Sequence, residues 1–145
     1  MTVFSDDMRA AVIARAGGCC EYCHLSTRGQ VATFPIDRVV PRSSGGLTIL
    51  ENLALACPHC NSHKWAHVSA TDSVSGTSVP LFNPRTQVWS EHFQWSRQDR
   101  GVLDGKTPCG RATIALLQIN DPDMLTIRQL LARVGLFPEI EDGAG

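Results

Sequence analysis

Near the start of the chain apolar residues recur at helical spacing, at Met8, Val12 and Ala16, behind Ser5 and the acids Asp6 and Asp7. A side-chain oxygen at the cap and acids in the first turn answer the unpaired N–H groups of a helix start. The pattern therefore predicts a helix that Gly17-Gly18 ends. Ala32 to Val40 alternates poorly but carries the β-formers Phe34, Ile36, Val39 and Val40, so a strand is expected to run into Pro41. Ser43 to Gly46 reads as a loop, with a short piece after it at Leu47–Leu50. A helix is expected from about Pro58 to His67, then a Ser/Thr-rich loop over residues 68–80. Beyond it come an aromatic stretch from Val88 to Trp95, a turn at Asp104-Gly105 and a helix from Arg111 to Leu117. Asp121-Pro122 forms a cap and first-position pair that opens a last helix ending at Gly135, with a frayed tail at Glu141–Gly145.

These elements mix short strands with helices, which is an α+β pattern. A chain of 145 residues is one domain by length and can bury a core without staples. Three parts are expected within it: an N-terminal helix over 1–18, a core over 19–68 and an extension over 69–145 that packs on the core. Charged residues make up 19% of the chain and no apolar run approaches a membrane span, so a membrane role is not expected. Met1 to Ala11 is too polar for a secretory signal, and the expected compartment is the cytoplasm. Net charge is −1, which excludes a nucleic-acid binder working by bulk charge alone. The charge is unevenly spread, however: residues 9–67 carry six bases (Arg9, Arg15, Arg28, Arg38, Arg42 and Lys64) against three acids.

That basic segment also holds five of the six cysteines, four of them in the knuckles Cys20-Glu21-Tyr22-Cys23 and Cys57-Pro58-His59-Cys60. A two-residue spacer lets both sulfurs of a knuckle reach one ion, and two knuckles make a four-thiolate zinc site. A redox pair needs only one knuckle, and disulfides need an oxidising compartment. Cys19 and Cys109 are left over as plain small residues.

Between the knuckles the chain reads Phe34-Pro35-Ile36-Asp37-Arg38-Val39-Val40-Pro41-Arg42-Ser43-Ser44-Gly45-Gly46, then Glu51-Asn52-Leu53. The second knuckle continues as Asn61-Ser62-His63-Lys64. This order resembles the HNH endonucleases, also called ββα-metal or His-Me finger nucleases. Their pattern is a knuckle, an Asp-His pair before Pro and a Gly-Gly loop, an Asn-Leu step, and a second knuckle with Asn and Lys after it. The likeness covers about residues 15–67. Val79 to Arg85, Trp89, His92-Phe93 and Thr107 to Thr113 look like the extension beyond the core in some bacterial members. The resemblance implies a zinc-knuckle ββα core packed against N-terminal and C-terminal helices. It also implies metal-dependent hydrolysis of nucleic acid, with double-stranded DNA the expected partner.

On that reading zinc at Cys20, Cys23, Cys57 and Cys60 is structural, and a second divalent ion, Mg²⁺ or a relative, is catalytic. Hard ions take oxygen ligands, so Asp37 and Asn61 are the implied pair for it. Asn52 is implied to brace the loop that carries the general base. Arg38, Arg42 and Lys64 are the candidates for nucleic-acid contact. Arg38 stands where the family has its catalytic His. A guanidinium is never a base at neutral pH, and losing a positioned base costs about 10²–10⁴-fold. Arg38 could instead bind the phosphate in a protein that no longer cuts, His59 or His63 could supply the base, or hydroxide on the metal could suffice for slow cleavage. His63, two positions beyond Asn61 on a helix, is expected to point away. Two functions are open: an HNH endonuclease impaired by Arg38, or a catalytically silent zinc-stabilised module that binds nucleic acid.

Overall fold

The computed structural model describes residues 4–137, so the expectation for the tail at Glu141–Gly145 lies outside the described residues. The first helix, α1 (Asp6–Arg15), starts where the caps require. Ser5 accepts from the Met8 N–H, and Gly17 and Gly18, both in the left-handed region, return their N–H groups to Ala14 and Ile13. Val12 points fully into the core, with Met8 and Ala16 packed beside it. Arg9 and Arg15 reach off the helix to the carbonyls of Phe34, Leu50 and Leu53, which ties α1 to the segment between the knuckles.

The centre of the molecule is an antiparallel pair, β1 (Ile36–Arg38) and β2 (Leu53–Leu55), with α2 (Pro58–Lys64) after it. Asp37 lies opposite Ala54 in the register. The expected strand over Ala32–Val40 is thus cut to three residues. Pro35 and Pro41 bracket it, and proline has no N–H to continue a ladder. Cys57 caps α2 by accepting the Cys60 N–H, with Pro58 at the first position, where its missing donor costs nothing. The helix stops at Lys64 rather than His67, because Trp65 turns the backbone to φ 46°.

Three further corrections fall in the extension. Residues 68–80 are not a loop but a hairpin, β3 (Ser69–Thr71) and β4 (Ser78–Pro80). Its turn is built on the buried Asp72, which accepts from Ser75 and receives two bonds from Arg111 at 2.8 and 3.1 Å. Those bonds, from Arg111 above all, hold the Asp72 carboxyl well below the usual carboxylate range. The aromatic stretch folds as α3 (Trp89–His92) and β5 (Phe93–Trp95). Asp104-Gly105 is not a turn but the end of β6 (Leu103–Gly105), paired with β5. The next helix, α4 (Pro108–Leu117), begins three residues before the expected Arg111, capped by Thr107. Both misreadings have one cause: Gly105 and Gly110 are there for close approach. A Cβ on Gly105 would lie 2.6 Å from the Arg111 nitrogen, and one on Gly110 would lie 2.1 Å from the His92 carbonyl oxygen. The last helix, α5 (Pro122–Arg133), matches its expected ends, with Asp121 capping it and Gly135 at φ 77° closing it.

One buried cluster joins α1, the central strand pair, α2, the β5–β6 pair, α4 and α5. It runs from Val12 through Tyr22, Phe34, Leu53 and Leu55 to Phe82, Phe93, Leu103, Leu117 and Leu131, and the four knuckle cysteines are part of it. The fold is α+β, and among the described residues no helix is long and apolar enough to cross a membrane.

Candidate metal centre and nucleic-acid face

The two knuckles meet inside the core. The sulfurs of Cys20, Cys23, Cys57 and Cys60 lie within 4.8 Å of one another, and Cys23 Sγ is 3.7 Å from Cys57 Sγ. A tetrahedral ion with metal–sulfur bonds of about 2.3 Å sets its sulfurs about 3.8 Å apart, so the cluster fits one zinc. The Cys23 and Cys60 N–H groups point at Cys20 and Cys57 sulfur, at 3.5 and 3.4 Å, which steadies both knuckles as ligands. Each knuckle also positions a candidate site residue: Tyr22 lies within the first and Asn61 comes directly after the second.

Four thiolates on Zn²⁺ leave a charge of −2, and sequence reading missed the residue that answers it. Arg128 of α5 is fully buried without a carboxylate partner among the described residues. Its guanidinium bonds the carbonyls of Gly101 and Ile119 at 2.8 Å and lies over Trp95, while Nη1 has no partner among the described residues. Burial lowers its pKa, and the four nearby cysteines act in the opposite direction. His59, inside the second knuckle, lies 2.8 Å from the Gln118 carbonyl, one residue before the carbonyl that Arg128 holds. The carbonyls of Gly101 and Ile119 hold this buried cation directly, and the cysteine sulfurs favour its charge. No spacing in the sequence marks Arg128, because it sits on the core face of an ordinary amphipathic helix.

The Asn52 side chain bonds across the loop that follows β1. It accepts from the Val40 N–H at 2.9 Å and donates to the carbonyls of Val40 and Leu47, at 2.9 and 2.8 Å. The loop from Val40 to Leu47 is thereby closed on itself. Gly46 passes so close that a Cβ would fall 1.6 Å from the Val40 oxygen. Asn52→Ala strands three backbone groups and is expected to cost roughly 2–4 kcal/mol, read as a lower urea midpoint with unchanged slope. A loss under about 0.5 kcal/mol would show that water replaces the brace.

Asp37 is only 5% exposed, and both its oxygens are taken. The Tyr22 hydroxyl donates at 2.6 Å, and the Lys64 ammonium stands 3.1 to 3.2 Å from the two oxygens. Burial raises the Asp37 pKa, with Lys64 and Tyr22 opposing it, and burial beside Asp37 raises the Tyr22 hydroxyl strongly. Lys64 also donates to the carbonyls of Arg38 and Val39 and is 1% exposed. Two expectations meet a different arrangement here. The Lys64 ammonium is turned inside the protein rather than presented to solvent, and it stands on Asp37 where the resemblance implied a divalent ion. Asn61 is half-buried on α2 and makes no side-chain hydrogen bond to Asp37 among the described residues.

Arg38 is half-buried. Its Nε donates to Thr48 at 3.0 Å, its guanidinium lies 5.0 Å from the Phe4 ring centre, and its Nη2 has no partner among the described residues. Arg42 is exposed, in a single 3-10 turn on the braced loop. Among the histidines, His63 Nδ1 turns back to the His59 carbonyl at 2.9 Å and its ring packs on His59. His24 stacks on Trp89, and burial lowers its pKa to about 4. Of the arginines in the extension, Arg85 pairs with Glu21 and Arg111 with Asp72, as carboxylate-bound structural groups.

Residues 20–66 match the family model described as HNH endonuclease, a span that holds both knuckles, Asp37, Asn52 and Asn61. No curated protein and no solved structure matches the chain significantly.

Proposed function

With an HNH endonuclease domain at residues 20–66, we propose that this protein binds nucleic acid, double-stranded DNA first, through its HNH face with hydrolysis held off. The observation that carries this reading is the Lys64 ammonium on Asp37, a fixed cation where a hydrolytic centre needs an exchangeable one. Arg38 acts in the same direction. It abstracts no proton at neutral pH, and its fixed positive charge near Asp37 favours an anionic backbone over a divalent ion. Arg42 on the braced loop supplies a second, exposed cation. Zinc on the four cysteines supplies no chemistry to substrate; it fixes the strand pair and α2 relative to each other.

A second reading, slow endonuclease turnover dependent on Mg²⁺ or Mn²⁺, is favoured by the intact Asn52 brace, which orders the loop at the general-base position. Gel retardation and plasmid nicking separate the two. The expected result is retardation of duplex DNA without nicking in either metal, for the wild type and for Arg38→His alike. Arg42→Ala should reduce the slope of log affinity against log salt by about 1, because one phosphate contact is lost. Nicking that rises at least about tenfold in Arg38→His and disappears in Asn61→Ala would establish the second reading instead.

A further inference from the structure

At the exit of α2 the chain does something that no packing requirement explains. The Lys64 carbonyl accepts from the His67 N–H at 2.9 Å, closing a four-residue turn, and Trp65 in its second position has φ 46° and ψ −120°. That is the first central position of a type II′ turn, where glycine belongs because a Cβ there meets the backbone. The residue present instead is the bulkiest of all, and it is 76% exposed. Its backbone N–H closes the helix on the Asn61 carbonyl, so the side chain is aimed outward by a fixed frame. Among the described residues, the ring beside it is that of His67, itself exposed, edge-on at 6.0 Å. Strain kept at an exposed position is a reason to look for a ligand.

The surroundings narrow the ligand's chemistry. Trp65 comes directly after Lys64, whose ammonium is buried on the Arg38 and Val39 carbonyls, and both residues lie within the span that matches the HNH endonuclease model. A flat, exposed π-face within that span suits a nucleobase, which stacks on an aromatic side chain whatever its identity. We propose that Trp65 is a stacking platform for an unstacked nucleobase, held out by its left-handed turn. This rests on the nucleic-acid reading above and goes beyond it by assigning the contact to a base lifted from the helix.

The strain makes the test unusually sharp, because removing the side chain should help the fold and harm binding. Trp65→Gly should hold or raise Tm, by up to roughly 5 °C, since glycine takes this turn without strain. The same variant should bind a fluorescein-labelled single-stranded oligonucleotide about tenfold more weakly, with a smaller loss on the fully paired duplex. Trp65→Phe should keep affinity within about threefold of wild type. Equal affinity of wild type and Trp65→Gly for the oligonucleotide would overturn the stacking role while leaving nucleic-acid binding standing. So would a loss as large on the paired duplex, or a monomer–dimer shift in Trp65→Gly by sedimentation, which would make the indole a contact between copies. Absence of nucleic-acid binding by the wild type would overturn both readings together.

Discussion

Cys57→Ser is expected to give a chain without a cooperative thermal transition, and chelation of the wild type is expected to do the same. The magnitudes decide this. Four-thiolate zinc binding contributes about 10–16 kcal/mol in small zinc modules, whereas a domain of this size is stable by about 5–15 kcal/mol in total. Here the loss falls in the middle of the core, since all four cysteines belong to the main buried cluster. Cys57 also caps α2, so the substitution disturbs the helix start as well. Metal analysis should find about one zinc per chain, lost together with the fold on chelation. Arg128→Met tests the same centre from outside: it should weaken zinc retention against a competing chelator, because a buried counter-charge has been removed. A Cys57→Ser chain that melts cooperatively near the wild-type temperature would show that the apolar core suffices without metal.

The second large effect is expected at Lys64. Lys64→Met leaves the Asp37 carboxylate 5% exposed with only Tyr22 to answer it, and breaking a buried pair from one side costs about 3–5 kcal/mol. The Asp37→Asn/Lys64→Met double variant removes both charges and should recover most of that loss, giving a coupling well above about 1 kcal/mol in urea unfolding. Additive single effects would show instead that the pair is solvated and that Asp37 is open to other cations. The same geometry bears on how nuclease activity must be tested. Asp37→Ala would strand the Lys64 ammonium, so lost cleavage in that variant reports on folding as much as on chemistry, and Asn61 is the cleaner position.

Much of this was legible from one sequence where the physics is local. The two knuckles marked the metal centre because a two-residue spacer is enough to decide whether two sulfurs reach one ion. Helix ends at Ser5, Gly17, Asp121 and Gly135 could be read because a cap involves residues within a turn of each other. The bracing role of Asn52 came from the resemblance, and the three hydrogen bonds supply its physical content. The hairpin at residues 69–80 was hidden because Asp72 is pinned by Arg111, thirty-nine positions away. Gly105 and Gly110 looked like turn formers and proved to be contact points between α4 and its neighbours.

The division at the site runs along the same line. Residue type and spacing were enough to give the ligand set of the metal, and the resemblance implied that Arg38 stands where the family has a base. Packing alone made Lys64 the internal cation of Asp37, set Arg128 near the thiolates, and stood Trp65 outward on a strained turn. Lysine and arginine in a sequence carry no mark of where their charge will rest. Burial converts the first two from solvent-exposed cations into counter-charges, and burial is a property of how distant segments pack.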